Sequence, residues 1–368
     1  MAVTDLPRIS ADAHVDEPHD LWYERMDADL REKAPRRIQA ESDGGWSLVV
    51  DGSAVGWSNM TAEEAAQKDA ERSAAAVPGV RLHMMSTDQV NGEIIFPTIG
   101  LYAYNIQDPT VGRSACVIYN DWLREQLGGD ARIKLAMMIP TWNTDMAIAE
   151  VERVATDRDV GGLLLPLVGT PEWNDQQWEP LWSAIEQTGL PAVMHQGTGH
   201  DMIFYRGWGS ATTNLLTTQS MAPRAAGLLS CSGVLDRHPD LHVVMVEVNA
   251  GWMGWTMSTL DEYYLAHQEV GWTKPILPEL PSAYLRRQVH ATFQDDPIAL
   301  HNIPFTGTDC LLWGNDFPHP ESTYPNSSQV LEKLLAGVSD DDARAVVSGN
   351  ATRLFGFDPV VLESTPTT

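Results

Sequence analysis

Basic residues are scarce in this chain: Lys and Arg total 24 against 50 Asp and Glu, for a formal net charge of −26. A surface of that sign repels phosphate backbones, which excludes nucleic acid as a partner. Cysteine is scarcer still. Cys116, Cys231 and Cys310 are scattered, with no CxxC spacing, so neither a disulfide framework nor a thiolate zinc site is expected. They read as small buried apolar residues. No apolar run reaches the ~18 residues of a membrane span. The opening stretch MAVTDLPRISADAH has neither a basic nor an apolar leader region. A cytoplasmic location is the expectation. Also missing are a G-x-S-x-G elbow, a P-loop and a strand-anchored G-x-G-x-x-G, and no Cys adjoins a candidate catalytic His.

What is present is a rhythm of short β-branched runs, turns and amphipathic helices. Strands are expected at 8–14, 92–97, 133–138, 161–166, 191–195, 242–247, 288–291 and 310–314, and helices at 110–127, 144–156, 175–188 and 253–268. Eight strands alternating with helices favour an α/β fold of the (β/α)8 TIM-barrel type over a doubly wound sheet. GGLLLP and LPAVMH are apolar throughout, as parallel strands buried on both faces must be. Residues 36–78 break the rhythm. Short strands with turns at Asp43-Gly44-Gly45 and Asp51-Gly52 suggest a small β-rich insertion after the first strand, covering one end of the barrel. Residues 199–219 read as a second long loop. One barrel domain is expected over 1–357, with a surface or disordered tail at 358–368.

Seven side chains that bind hard metals fall at or just beyond predicted strand ends: Asp12, His14 and Glu17 in ISADAHVDEP, His195 in PAVMHQGTG, Glu247 in HVVMVEVNAGW, and Asp316 and His319 in LLWGNDFPHPES. A parallel barrel brings every strand's C-terminal end to one face, so residues some 300 positions apart converge there. Three imidazoles and four carboxylates exceed what one ion needs. Each residue has a plainer reading on its own: Asp12 as a holder of His14's tautomer, Glu17 as an arginine partner, His195 as a core histidine. Glu247 resists it, because a carboxylate closing an apolar run is costly to bury without a partner or a metal.

Beyond the seven, His200 is a candidate acid/base, with Asp316 and Glu247 as further catalytic candidates. Trp22, Tyr205, Arg206, Trp208 and His290 are candidate substrate contacts near the mouth. Arg206 suits a substrate carboxylate, and the tryptophans suit an apolar wall.

The motifs ISADAHVDEP, VMHQGTG, DLHVVMVEVNAGWM and LLWGNDFPHPES, with GEIIFPTIG and SGNATRLFGF, resemble the amidohydrolase superfamily over roughly residues 8–357. Within it they resemble the amidohydrolase 2 group, which includes carboxymuconate-semialdehyde-decarboxylase-like enzymes. The resemblance implies a metal-dependent barrel. Many members begin His-x-His or Glu-x-His where this chain has Asp12-x-His14, and decarboxylases of the group place a His where this chain has Glu247. No Lys ends a predicted strand, so the modified-lysine bridge of binuclear hydrolases is absent.

Exchanging imidazoles for carboxylates shifts the preference towards Fe and Mn. In that respect the chain is similar to a dinuclear non-haem iron oxygenase branch of the superfamily. That likeness implies two divalent ions, Fe or Fe/Mn, with Asp12, His14, His195 and Asp316 around one and Glu17, Glu247 and His319 around the other. The leading expectation is therefore a monooxygenase that hydroxylates a C–H bond of a small molecule with O2. The alternative is a mononuclear hydrolase or non-oxidative decarboxylase holding one ion such as Zn. A third reading is a partner subunit whose site has decayed. The resemblance also implies a homo-oligomer or a heteromeric complex with a related barrel.

Overall fold

The structure is a computed structural model that describes residues 6–39, 46–58, 67, 70, 72–199 and 205–363. In chain order its strands are β1 (Ile9–Val15), β2 (Arg36–Gln39), β3 (Trp46–Val50), β4 (Ser53–Ser58), β5 (Gly92–Pro97), β6 (Ile133–Met138), β7 (Val160–Pro166), β8 (Ala192–His195), β9 (Val243–Val246), β10 (Val289–Phe293) and β11 (Leu311–Trp313). Eight of them pair in the order β1-β5-β6-β7-β8-β9-β10-β11, all parallel. Burial on both faces explains their composition: β7, VGGLLLP, is buried at every position.

The seam that closes the barrel is irregular. Because β11 stops at Trp313, the closing contacts to β1 come from the residues after it. The His14 amide donates to Phe317 O at 2.7 Å, and the Asp316 amide donates to Asp12 O at 2.8 Å. Gly314 permits the approach, since a Cβ there would lie 2.6 Å from Asp12 Cβ. Two metal-binding candidates, Asp12 and Asp316, are thus neighbours because the barrel closes through their backbones.

Helices cover the outside. Asn143 caps the helix Thr144–Val154 by accepting from the amides of Asp145 and Met146. A left-handed Gly189 (φ 71°) ends Glu179–Thr188. The insertion forms the expected small sheet, β2-β3-β4, antiparallel. Leu48 and Val50 of β3 join the main core. Two expectations differ. Part of 199–219 is a helix, Ser210–Gln219, whose threonines and asparagine are weak helix formers that disguised it. The tail begins with a helix, Pro359–Glu363, anchored by buried Leu362, whose carbonyl accepts from Asn91 Nδ2. Among the described residues no helix is long and apolar enough to cross a membrane.

Candidate metal centre

Alternation along β1 turns Asp12 and His14 to the same side of the strand, and both are buried. His195 closes β8. Glu247 follows β9 directly, its amide donating to Thr292 Oγ1 at 2.7 Å. Asp316 follows β11, and His319 is turned back towards it by its amide's bond to Asp316 O at 2.9 Å. Glu247 and Asp316 both have left-handed backbones (φ 58° and 54°), a conformation that side-chain-bearing residues adopt rarely and at a cost.

These six side chains meet. His14 Nε2 lies 3.0 Å from His195 Nε2, 3.4 Å from Asp12 Oδ1, 3.6 Å from Asp316 Oδ1 and 3.7 Å from Glu247 Oε2. His195 Nε2 is 3.3 Å from Glu247 Oε2, and His319 Nδ1 is 2.9 Å from Asp316 Oδ1. The donors fall into two groups, His14–Glu247–Asp316–His319 and Asp12–His14–His195, within which all ligand atoms lie inside 4.8 Å of one another.

Three observations fit a cation. First, His14 Nδ1 faces Pro97 O at 2.8 Å and His195 Nδ1 faces Gln196 O at 2.9 Å. Carbonyls only accept, so each Nδ1 carries a proton and the two Nε2 atoms are left facing each other. Second, Asp12 Oδ1 and both Asp316 carboxylate oxygens are buried without hydrogen-bond partners, which is expensive unless a cation satisfies them. Third, the electrostatics call for positive charge. Burial works to keep His14 neutral, yet Asp12, Glu247 and Asp316 outweigh it and raise its imidazole well above the ordinary range. Burial, then Glu247 and Asp12, hold the Asp316 carboxyl well above its own range. Burial and His14 push His319 well below, leaving it a neutral donor.

Glu17 is not in the cluster. Its Oε2 accepts from the amides of Ile99 (2.8 Å) and Thr98 (3.3 Å), and its Oε1 accepts from Gly100 (2.9 Å). It anchors the loop after β5, and burial pushes its carboxyl up to about 7. Trp22 is also elsewhere, buried with Nε1 donating to Ala115 O at 3.0 Å. His290 is the second residue of β10, three before its end, with Nε2 3.0 Å from His242 Nδ1 and Nδ1 2.9 Å from Asp309 O. Asp309 precedes β11, so this pair sits at the opposite end of the barrel. Burial, then His242, lowers His290 to about 3. Tyr205, Arg206 and Trp208 are exposed and do not line the cavity over the cluster. His200 lies outside the described residues.

That cavity, about 320 Å³, has His195, Glu247 and His319 among its lining residues, with Leu101, Tyr102 and Leu215 supplying apolar surface and Glu321 a further carboxylate. A roomier one of about 620 Å³, lined by Tyr104, Trp142 and Thr141 among others, contains no titratable donor suited to a metal. Sequence reasoning missed Gln196. Its Nε2 donates to Glu247 Oε1, and its Oε1 accepts from Thr218 Oγ1 at 2.9 Å. It also missed Glu321, whose carboxyl is raised by burial and by Glu247. Adjacency to His195 and to His319 was the only signal for either.

A family model described as amidohydrolase matches residues 12–357. Comparison with curated proteins gave no match. Among solved structures, an amidohydrolase from Mycobacterium avium subsp. paratuberculosis K-10 superposes with a TM-score of 0.78 at 19% identity, covering 96% of this chain and 100% of that one. The 5-carboxyvanillate decarboxylase of Sphingomonas paucimobilis gives 0.73 at 22% identity, with 96% and 100% covered. A dihydroxybenzoic acid decarboxylase from Polaromonas sp. JS666, solved with bound manganese and the inhibitor 2-nitroresorcinol, gives 0.63 at 16%, with 95% and 97% covered. At these identities the likeness is one of fold.

Proposed function

Because the chain belongs to the amidohydrolase family, we propose that it is a metal-dependent enzyme holding one divalent cation and catalysing non-oxidative decarboxylation of a small aromatic acid. The observation that carries the single ion is the sharing of His14 by both donor groups. Its Nδ1 is committed to Pro97 O, which leaves one lone pair, and one imidazole nitrogen does not serve two ions. Glu17, needed by a second ion, is engaged by three backbone amides instead. The dinuclear iron oxygenase expected from the ligand count is therefore the less supported reading.

His14, His195, Glu247, Asp316 and His319 would hold the ion, with Asp12 beside them. The set mixes imidazoles, which suit Zn or Fe, with carboxylates, which suit Mn, and we take Mn2+ because manganese is the ion named for one structural neighbour. A bound divalent cation supplies Lewis-acid polarisation of substrate oxygens. Leu101, Tyr102 and Leu215 supply an apolar wall for a ring. When the C–COO⁻ bond breaks and CO2 leaves, the electron pair left on carbon takes a proton. Glu321 is suited to give it, since it lines the cavity, stands outside the donor groups and is held towards its protonated form. Decarboxylation is also the activity named for two of the structural neighbours.

The test is metal analysis of protein purified without chelators, joined to anaerobic assays of CO2 release from hydroxylated benzoic acids. We expect about one ion per chain, turnover without O2 or reductant, and loss of turnover in Glu321→Gln with metal retained. Two ions per chain with substrate-dependent O2 consumption would overturn the reading in favour of the oxygenase.

A further inference from the structure

The helix Ser210–Gln219 borders the cavity over the metal centre with almost no core beneath it. Thr218 is its one buried residue. Asn214, Leu215 and Thr218 are spaced to share one face of the helix, and all three line the cavity. Leu215 is 53% exposed although it forms part of that wall. A helix normally draws its stability from an apolar stripe packed onto the protein. This one turns the corresponding face towards the space in which a substrate is bound.

The same face is bonded to the metal centre. Thr218 Oγ1 lies 2.9 Å from Gln196 Oε1, and Gln196 Nε2 donates to Glu247 Oε1. A metal-binding carboxylate only accepts, which fixes the direction of the Gln196 amide and leaves its Oε1 to take the Thr218 proton. That hydroxyl has a single proton and a second acceptor within reach, Leu215 O at 2.8 Å. The link to Gln196 can therefore be traded for a bond inside the helix, as an element with two discrete arrangements requires. Gln219 Oε1 adds a longer contact, accepting from Asn249 Nδ2 at 3.4 Å, two residues past Glu247.

We infer that this helix is a substrate-contacting wall coupled to the metal: an aromatic ring covers Leu215, which sets specificity, and Thr218, a positioning residue, passes the ring's seating through Gln196 to Glu247. The inference rests on the proposed aromatic-acid reading of the site. Ring and ion then bind cooperatively, each tightening the other by the same factor. Because Leu215 is half exposed, shortening it costs the fold little while removing apolar contact from the ring.

Mn2+ affinity of the full chain, read by competition with a fluorescent chelator with and without saturating benzoate, tests this. Benzoate is expected to tighten Mn2+ binding by about tenfold or more in the unaltered protein. Thr218→Val should cut that enhancement by about threefold or more, and Thr218→Ser, which keeps the hydroxyl, should preserve it. Leu215→Ala should weaken benzoate binding to the Mn2+-loaded protein about fivefold and leave Mn2+ affinity without benzoate unchanged. Thermal melts of each variant separate a lost link from a lost fold. No turnover is measured, so a chain that shows these effects but releases no CO2 keeps the inference and loses the decarboxylase reading. An enhancement undiminished in Thr218→Val, an unchanged benzoate affinity in Leu215→Ala, or a Mn2+-loaded protein that binds no benzoate overturns the inference.

Discussion

The Nε2 atoms of His14 and His195 face each other across 3.0 Å while both Nδ1 atoms are committed to backbone carbonyls. Two neutral rings in that arrangement repel, and only a proton or a cation between them makes it favourable. Chelator-stripped protein should therefore gain stability when Mn2+ is added. The gain is about 2.7 kcal/mol at a hundredfold excess over the dissociation constant, read as a rise in melting temperature. His14→Ala should abolish the rise. A melting curve indifferent to every divalent ion would contradict the assignment of this cluster to a metal.

Glu17 separates two roles by one substitution. Glu17→Ala leaves the buried amides of Ile99 and Gly100 without acceptors, at about 1–3 kcal/mol each. A loss of several kcal/mol in urea unfolding is expected, with metal content per chain unchanged. Loss of an ion with little change in stability would return Glu17 to the ligand set.

The same carboxyl leaves a signature in pH. Its folded value of about 7 exceeds the ordinary 4.5, so between those values the folded chain keeps a proton that the unfolded chain has released. Stability from this group is complete below pH 4.5 and falls as pH rises through 7, by about 3 kcal/mol in all. Glu17→Gln, which cannot ionise, should lack this decline. The measurement is the difference in unfolding free energy between the two proteins from pH 4.5 to 8. A constant difference would refute it.

Gln196 occupies one oxygen of Glu247 and leaves the other facing His14 and His195. Gln196→Ala should weaken Mn2+ binding by about 10–100-fold with a normal circular dichroism spectrum. Competition with a fluorescent chelator reads the affinity directly. An unchanged affinity would mean that Glu247 holds its orientation alone.

Arg81 is fully buried behind the site. Its Nε donates to Glu93 Oε2 at 2.6 Å, its guanidinium donates to His14 O at 2.5 Å, and it lies over the Phe317 ring. Arg81→Met leaves the Glu93 charge buried and unpaired and should cost about 3–5 kcal/mol. Adding Glu93→Leu should recover most of that loss. Chemical denaturation of both variants checks the order; a double variant no more stable than the single would show that the pair is not the unit.

Much of the barrel was legible because buried parallel strands are written as apolar runs. The expected 92–97 and 133–138 coincide with Gly92–Pro97 and Ile133–Met138, and the others shift by a residue or two. Strand ends then carried Asp12, His14, His195, Glu247 and Asp316 to one place, and the turn after β11 added His319. Glu17 was not legible, since its partners are backbone amides more than 80 residues away that leave no side-chain signal. His290 was misjudged because β10 runs on to Phe293, so its ring belongs to the far end of the barrel. The helix Ser210–Gln219 was hidden by residues that usually avoid helices.

The left-handed backbones of Glu247 and Asp316 carry a consequence for how this fold can change. Each position costs about 1–2 kcal/mol relative to glycine, which adopts that conformation freely. Drift towards glycine at either position would make the empty scaffold sturdier while removing a carboxylate from the centre. Selection for thermal robustness alone would thus erode the site first, and persistence of both acids in related chains would mark lineages in which the chemistry is still in use.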